Sequence, residues 1–360
     1  MPHMPSANPA SVRPRYALQE AGLVVVILLL GLLLTVRSGT TELLDSETGE
    51  PRTVNLFLNP QNLDKLAKDT SFFAIMAVGA TLVIIIGGID LSVGAIYALA
   101  GVAGAKWLHH YGPQGGGGDA GAAWVILSAC AVCMGVATLC GLINGLLTVA
   151  LRLHPFIITL GTMAVLRGAA FVWTQGQSIG FFPASFTDGF IRRQAVSGVY
   201  FVPMSAMLGV TLAGWLFLRH MVGGRYVFAV GGNETAARYS GVPVARTKVL
   251  VFALAGLTAG IAATIKLGYY GSASSVDGNG YELEVIAAAV VGGASLTGGK
   301  GTAAGALLGA LLIRMIDMGI VVLNYDQAYS QIIMGVAIVA AAVLDRVSTG
   351  LSRRRSLGGA

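Results

Sequence analysis

Several polar and acidic residues stand inside otherwise apolar segments, where their chemistry would be the binding or transport of a solute. Asp90 follows Gly87 and Gly88 at the end of one apolar run and precedes Ser92 by two residues. An ionisable group in such a position is costly, and it usually lines a pathway or pairs with another charge. An aspartate at a helix start can also accept hydrogen bonds from free backbone N–H groups as a cap. The sequence leaves both roles of Asp90 open.

Two further acidic residues allow the same choice. Glu282 and Glu284 begin an apolar segment after a polar loop, where they can contact a solute or a docking protein. The helix dipole alone also stabilises acidic residues in a first turn, and this second explanation is preferred. For Asn144, Thr159 and Arg167, hydrogen bonds between helices are as good an explanation as a pathway. The predicted pathway residues are Asp90, Ser92, Asn144, Phe156, Thr159, Arg167, Glu282 and Glu284.

Two other pairs are predicted to be structural. Arg314 and Asp317 are three residues apart, so on a helix they share a face and are expected to pair with each other. Cys130 and Cys133 have the spacing of a redox pair, but they lie in one apolar segment with no βαβ pattern nearby. We interpret these cysteines as small residues of a membrane helix.

Nucleotide, metal and hydrolytic chemistry find no support. Residues 293–302 read GASLTGGKGT and resemble a phosphate-binding loop, but Ala294 and Gly301 stand where the motif needs Gly and Ser or Thr. None of the five histidines forms H-E-x-x-H, and no Cys/His cluster has zinc spacing. We therefore expect no metal, no cofactor, no ATP binding by this chain and no enzymatic activity of its own.

The composition indicates the elements that must position these residues. Of 360 residues, 55% are hydrophobic and 11% are charged, and 50 are glycines. A soluble domain has about 25% charged residues, so an ordinary cytosolic enzyme is excluded. The net charge of +6 comes with no basic block interleaved with aromatics, so we expect no nucleic-acid partner and assign the basic excess to membrane orientation.

Apolar run lengths predict an all-α polytopic membrane protein with about ten transmembrane helices. The first run is kept as a span, because no small-x-small cleavage site follows it at 37–40. Residues 282–297 are short and carry Gly292 and Gly293 near their end, so a broken or re-entrant helix is expected there. The spans are placed at 21–36, 71–88, 92–108, 123–150, 156–174, 201–219, 249–268, 282–297, 302–323 and 328–345.

Lys and Arg are more frequent in the segments that share a side with the N-terminus, which predicts that both termini are cytoplasmic. The predicted domains are an N-terminal tail at 1–20, one membrane domain at 21–345 and a C-terminal tail at 346–360. The long acidic loop 37–55 and the Gly-rich tether 111–121 are placed outside.

Glycines are spaced for close helix packing and suggest a weak internal repeat. GGIDLS at 87–92 ends the second span as GGASLT at 292–297 ends the eighth, and transporters are often built from repeats. Pairs four residues apart let helix backbones approach in lipid. These pairs are Gly141 and Gly145, Gly256 and Gly260, and Gly305 and Gly309.

The basic segment 219–248 is predicted to be a cytoplasmic loop that contains one short helix. Asn233 can act as its N-cap and Gly241 as its C-terminal residue, with Pro243 just beyond, which brackets a helix at 234–240. A two-turn helix is marginal alone. It must dock on its own membrane domain or on a soluble partner, and the residues leave this choice open.

Four long motifs resemble one family. They are GGIDLSVGA at 87–95, HPFIITLGTMAVLRG at 154–168, YVFAVGGNETAARYSGVPVARTKVLVF at 226–252 and GYELEVIAAAVVGGASLTGGKGT at 280–302. They resemble the permeases of bacterial ABC sugar importers of the ribose, xylose and galactose type. The resemblance covers about residues 70–345.

The resemblance implies an inner-membrane importer that moves a pentose or hexose by alternating access. Its partners would be a cytoplasmic ATPase, a periplasmic sugar-binding protein, a second permease chain and membrane lipid, and its fold would resemble the membrane subunit of the cobalamin importer. Residues 231–242 would be the segment that meets the ATPase. The implied coupling residues are Gly232, Asn233, Glu234, Ala236, Ala237, Arg238 and Gly241.

Alternatives remain at this level. The loops 37–55 and 111–121 depart from the family pattern, and both can contact a binding protein. A nucleoside or a signalling furanose fits the same architecture, and the two permease chains can be identical or different. An ion-coupled secondary transporter would instead work alone and require Asp90.

Overall fold

The computed structural model describes residues 13–44, 51–116, 121–196, 199–337, 339–340 and 343, and it is mainly helical. A π-helical turn, Thr187–Ile191, follows α6, and a last apolar helix covers Ala328–Ala337. The tail 346–360, residues 1–12 and residues 117–120 of the tether lie outside the described residues. The helices are α1 (Arg13–Arg37), α2 (Pro60–Ile85), α3 (Val93–His110), α4 (Ala122–Leu151), α5 (Pro155–Thr174), α6 (Ala184–Phe186), α7 (Phe201–His220), α8 (Val222–Gly232), α9 (Glu234–Tyr239), α10 (Val244–Tyr270), α11 (Tyr281–Val291) and α12 (Ala303–Val322).

Polar residues in the sequence fix where the apolar helices begin and end. The Asn59 side chain caps α2 by accepting a hydrogen bond from the Asn62 nitrogen at 2.9 Å, and Pro60 takes the first helical position. Thr302 caps α12 in the same way through the Gly305 nitrogen at 2.9 Å. α10 ends at Gly271, whose φ of 67° suits glycine.

α2 forms the centre of the fold. All residues from 70 to 86 are buried, and α7, α10, α11 and α12 pack around this helix. α10 also packs along α4, where their backbones approach at glycines. A Cβ atom on Gly141 would lie 3.1 Å from the Gly256 Cα, and one on Gly260 would lie 2.8 Å from the Met134 Cα. The close packing predicted from glycine spacing is therefore confirmed for these helices.

Helices are present at all ten predicted positions, but three differ from a standard span. Seven described helices are long and apolar enough to cross a membrane, namely α1, α2, α4, α5, α7, α10 and α12. α3 is 18 residues long and ends with His109 and His110, which lower its hydropathy. The helix at Ala328–Ala337 is shorter. A multi-pass helical membrane protein is confirmed, whereas ten crossings and the cobalamin-importer fold stay predictions.

α11 has the form expected of a broken helix. It contains 11 residues, so it is about 16 Å long and reaches across about half of the hydrocarbon core. Gly293, with φ 97°, turns the chain away from the helix axis. The loop that follows runs to Thr302 at the start of α12.

Two short antiparallel hairpins were not predicted. β1 (Thr40–Leu44) pairs with β2 (Pro51–Asn55), and β3 (Gln194–Val196) pairs with β4 (Val199–Tyr200). The first lies in the loop 37–55, which was interpreted as external, and the second lies between the spans predicted at 156–174 and 201–219. Their strands have at most five residues, too few for an alternating pattern to distinguish them from a polar loop.

Candidate translocation and coupling sites

Asp90 anchors a buried polar cluster at the break between α2 and α3. Its side chain accepts hydrogen bonds from the Ser92 nitrogen at 2.8 Å and the Ser92 hydroxyl at 2.6 Å. The Asn144 amide of α4 donates to the same hydroxyl at 2.7 Å. Asp90 thus forms a turn just before α3, and its bonds do not reach the free N–H groups of the first helical turn.

α5 closes this inner cluster from a second side. The Thr159 hydroxyl donates to the Ile89 carbonyl and accepts from the Leu91 nitrogen, both at 3.1 Å. Phe156, about one turn earlier on α5, is 41% exposed, and its carbonyl accepts a hydrogen bond from the Thr159 hydroxyl at 3.3 Å. The structure therefore brings together four of the predicted pathway residues, namely Asp90, Ser92, Asn144 and Thr159.

Arg167 holds a different segment, the loop 272–280, which we call the outer loop. The Arg167 guanidinium donates to the backbone carbonyls of Ser275 at 2.9 Å, Asp277 at 2.5 Å and Gly278 at 3.2 Å. Three charge-assisted bonds to backbone fix both the side chain and the loop. Thr159 and Arg167 lie eight residues apart on α5, or about 12 Å along its axis.

A second cation of the outer loop was missed by the sequence interpretation. Lys266 near the end of α10 forms an ion pair with Asp277 and donates to the Ser272 carbonyl at 3.0 Å. Asp277 also accepts from the Ser274 nitrogen at 2.8 Å. The available signal was a lysine inside a predicted span, followed eleven residues later by an aspartate.

The outer loop reaches the start of α3, so the two polar groups are neighbours. The Cα face of Gly94 packs against the Gly278 carbonyl and the Glu282 carboxylate, where a Cβ atom would overlap both. Three buried polar atoms in this region have no hydrogen-bond partner among the described residues. They are Asn144 Oδ1, Ser275 Oγ and Glu282 Oε2. Such atoms can bind the hydroxyl groups of a solute.

Glu284 does not join these groups. Its carboxylate pairs with Arg314, and Arg314 also pairs with Asp317 at 2.7 Å. The Arg314 guanidinium lies 3.6 Å from the centre of the Phe73 ring. The pairing of Arg314 with Asp317 is confirmed, and Glu284 belongs to this charged triad between α11 and α12.

The predicted cytoplasmic helix is present as α9. The Asn233 side chain accepts from the Ala236 nitrogen at 2.9 Å, and Gly241, with φ 80°, ends the segment. Glu234 pairs with Arg238 at 2.9 Å and with Lys248 of α10 at 2.8 Å. The hydrogen bond from Lys248 is the main cause that lowers the pKa of the Glu234 carboxyl. α9 therefore docks on its own membrane domain.

The side chains of α9 divide into one docked residue and a free surface. Ala237 is 6% exposed and packs toward the membrane domain. The neighbouring residues Gly232, Asn233, Ala236 and Arg238 are exposed, and Tyr239 is 87% exposed. A soluble partner can reach this surface, so the two docking choices are compatible.

A contact made only of backbone connects α8 to the core, and it was not predicted from the sequence. We call Ile85, Gly231, Gly298 and Gly299 the glycine junction. The Gly299 nitrogen donates to the Ile85 carbonyl at 2.8 Å. A Cβ atom on Gly231 would overlap that carbonyl oxygen and lie 2.7 Å from the Gly299 nitrogen. Gly231 immediately precedes the α9 region, so the junction joins it to α2 and to the α11–α12 loop.

Among the described residues, no group of three or more His, Cys, Asp or Glu side chains is close enough to hold a metal ion. Cys130, Cys133 and Cys140 are all free thiols. Their position within α4 fits their interpretation as small residues of a membrane helix.

A family model and several curated proteins match most of the chain. A family model described as "Branched-chain amino acid transport system / permease component" matches residues 62–342. The ribose import permease protein RbsC of Escherichia coli K12 is 38% identical over 291 residues, which cover 80% of this chain and 87% of that protein. The D-allose transport system permease protein AlsC of the same strain is 36% identical and covers 81% and 85%. The autoinducer 2 import system permease protein LsrC of Enterobacter sp. 638 is 32% identical and covers 83% of each.

Proposed function

The chain belongs to the family of transport-system permeases whose family model matches residues 62–342, and from that premise we propose that it imports a monosaccharide as the membrane-spanning subunit of an ATP-binding-cassette system. The carrying observation is 38% identity with a ribose import permease over 80% of the chain. The seven described helices that are able to cross a membrane fit a multi-pass location in a bacterial inner membrane.

The polar groups beside α5 support a sugar as the solute. Asn144 Oδ1, Ser275 Oγ and Glu282 Oε2 are buried and unpaired, and a hydroxyl-rich molecule can satisfy such atoms. We place Asp90, Ser92, Asn144, Phe156, Thr159, Arg167 and Glu282 along the pathway. We assign Glu284 to the pathway as well, through the charged triad that it forms with Arg314. The permease should hold the sugar weakly, because a deep site would trap it.

The partners follow from this function. A cytoplasmic ATPase would meet the exposed surface of α9, a periplasmic binding protein would deliver the sugar, and a second permease chain would complete the membrane assembly. The chain itself would hydrolyse no ATP. Both termini would be cytoplasmic, as the excess of Lys and Arg on that side indicates.

The proposed cycle is alternating access. Closure of the ATPase would push Gly232, Asn233, Glu234, Ala236, Ala237, Arg238 and Gly241 as one unit. Gly231 would pass that displacement to the end of α2 and to the loop before α12, because its backbone is in direct contact with both segments. The helices around the α2–α3 break would then tilt and open the pathway inward.

A signalling furanose is a second cargo that one observation favours. A relative that is 32% identical is named an autoinducer 2 import permease. The ribose relative is more similar at 38%, so a simple monosaccharide stays the preferred cargo.

Co-purification from the native membrane tests the assignment. The tagged chain, extracted in mild detergent, should bring down an ATPase, and mass spectrometry should show whether one or two permease chains are present. Sugar-loaded binding protein should raise ATP hydrolysis by that complex. Recovery of the permease alone, with gradient-driven sugar uptake in liposomes, would overturn the proposal.

A further inference from the structure

A cavity lies on the proposed cytoplasmic side, and its lining begins at Thr148, one helical turn beyond Asn144 of the polar cluster around Asp90. It has a volume of about 780 Å³ and opens between the α4–α5 turn, α9 and the first turn of α10. Its lining includes Thr148, Arg152 and His154 on one side and Arg246 and Lys248 on the other.

The cavity carries an excess of positive charge. Four cations line it, Arg152, Arg238, Arg246 and Lys248, against the single acid Glu234. Glu234 is already paired with Arg238 and Lys248. Among the described residues, neither Arg152 nor Arg246 has a carboxylate within ion-pair distance. Two guanidinium groups therefore remain available for an external anion.

Two further features favour an anion inside the cavity. Thr148 is 3% exposed, and its hydroxyl has no hydrogen-bond partner among the described residues. Pro155 and Val244, the first residues of α5 and α10, also line the cavity, so two helix N-termini begin at its wall. Helix N-termini attract negative charge through free N–H groups and the helix dipole.

The rim of the cavity identifies the class of anion. Leu153 lines the cavity and is 44% exposed. Leu151 and Ile157 are within two residues of its lining in the chain and are 55% and 56% exposed. Apolar side chains beside a basic cavity at the cytoplasmic ends of membrane helices fit a molecule with an anionic head and hydrocarbon chains. An acidic loop of a soluble partner would leave these side chains uncovered.

We propose that this cavity binds the phosphate of an anionic phospholipid of the cytoplasmic leaflet, with Arg152, Arg246 and the Thr148 hydroxyl as its ligands. The bound headgroup would lie against Arg238 and Lys248, and would thereby brace α9 against the α4–α5 turn. The site rests on the proposed cytoplasmic placement of segment 219–248. Its test measures lipid binding and not transport, so the two proposals fail separately.

The test is a titration of the purified, delipidated full chain in neutral detergent with short-chain phosphatidylglycerol, followed by native mass spectrometry. Phosphatidylcholine is the control lipid. Arg152→Gln and Arg246→Gln should each weaken phosphatidylglycerol binding about fivefold, as expected for one lost charge near a membrane surface. Arg225→Gln removes an exposed cytoplasmic charge outside the cavity and should change binding by less than about twofold.

Thr148→Val keeps the side-chain volume and removes only the hydroxyl, so it serves as a variant that is expected to fold. It should weaken phosphatidylglycerol binding about threefold or more, consistent with one lost hydrogen bond. Inorganic phosphate should compete weakly, because it lacks the hydrocarbon chains. Phosphate that binds as tightly as the lipid would overturn the lipid assignment.

Two other results would also contradict the proposal. One is equal binding of phosphatidylglycerol and phosphatidylcholine. The other is phosphatidylglycerol binding that persists in the Arg152→Gln, Arg246→Gln double variant. A cross-link from position 246 to the ATPase in the assembled complex, without lipid protection, would assign the cavity to a protein partner instead.

Discussion

At the end of α8 the protein joins three segments through bare backbone, whereas near α5 it holds a loop in place with partly buried charged side chains. In the glycine junction, the Gly231 backbone packs directly on Ile85 and Gly299. In the outer loop, Arg167 and Lys266 hold the backbone through four hydrogen bonds and one ion pair. The two regions are stabilised by different physical means.

The difference indicates what each region can do. Backbone atoms in direct contact have no rotamers to adjust, so a displacement on one side must appear on the other. Hydrogen bonds from long charged side chains can exchange carbonyl partners or water as a loop shifts. The glycine junction is therefore suited to transmit motion, and the outer loop is suited to move.

The first and largest expected effect comes from filling the glycine junction. Gly231→Ala places a methyl group on the Ile85 carbonyl and should lower ATP-driven sugar uptake at least about tenfold, through forced separation of α8 from α2. Gly209→Ala in α7 is the control, because a Cβ atom there meets nothing within 4 Å and the residue lies outside the proposed coupling segment. Uptake into proteoliposomes containing the whole importer measures both.

The same pair of variants separates transmission from misfolding. Assembly with the ATPase and basal ATP hydrolysis should survive in Gly231→Ala, while stimulation by sugar-loaded binding protein should be lost. If Gly231→Ala and Gly209→Ala behave alike, the glycine junction does not transmit motion and the comparison fails.

The second prediction concerns the charge that holds the outer loop. Arg167→Met removes the donor from three carbonyls and should destabilise the protein by about 2–3 kcal/mol, less than three full bonds because water reaches a part-buried loop. Thermal unfolding in detergent measures the loss. Arg193→Met, at an exposed position, is the control. Arg167→Lys should recover part of the stability, and an unchanged melting temperature in Arg167→Met would show that the loop needs no cation.

The third prediction tests the helix cap of α9. Asn233→Ala removes the acceptor for the Ala236 nitrogen and should cost about 1 kcal/mol of local stability. Asn233→Asp retains an acceptor and should cost less. Hydrogen exchange at the α9 amides is the measurement. Equal exchange in Asn233→Ala and the unaltered chain would mean that packing alone fixes α9.

The smallest effect is a dependence on pH at Glu234. Because Lys248 lowers its pKa in the folded chain, its contribution to stability is complete above its unfolded value near 4.5 and disappears as the pH falls through the lower folded value. Protection of α9 from exchange, corrected for intrinsic rates, should therefore be constant from about pH 6 to 8. In Lys248→Met the acid-side loss should begin at higher pH. A loss between pH 6 and 8 would implicate a different group.

Local signals in the sequence predicted much of this structure. The cap at Asn233 and the glycine at 241 determine α9, and the three-residue spacing of Arg314 and Asp317 determines their pairing. Each of these features depends on residues within one or two turns of each other. Short spacing fixes geometry without knowledge of the fold.

Contacts between distant residues could not be predicted in this way. The glycine junction joins positions 85, 231 and 299, and Arg167 binds carbonyls more than a hundred residues away. No side chain marks the glycine junction, which is made of backbone atoms alone. In the Arg167 contact only the donor is a side chain, and its backbone acceptors carry no signal in the sequence. The hairpins were not predicted for a different reason, since their strands are too short to show the alternating polar and apolar pattern of a strand.

The suggested internal repeat aligns differently in the amino-acid sequence and in the backbone geometry. α2 and α11 end in the same way: the Gly88 nitrogen donates to the Val83 carbonyl, and the Ala294 nitrogen donates to the Ala289 carbonyl, both at 2.9 Å. The glycines with positive φ are Gly87 and Gly293, so the structural match is shifted by one residue from the match of GGIDLS with GGASLT. The residues of α2 and α11 that correspond are therefore identified by the geometry of the helix ends and not by the matching sequence motif.

Sugar uptake by the reconstituted importer tests the central claim most directly. Proteoliposomes would contain the permease with its ATPase, and radiolabelled ribose would be added with the binding protein. Uptake should require ATP on the ATPase side, should require the binding protein, and should be unaffected by collapse of the proton and sodium gradients. Uptake by the permease alone, driven by an ion gradient and abolished by Asp90→Asn, would contradict the account.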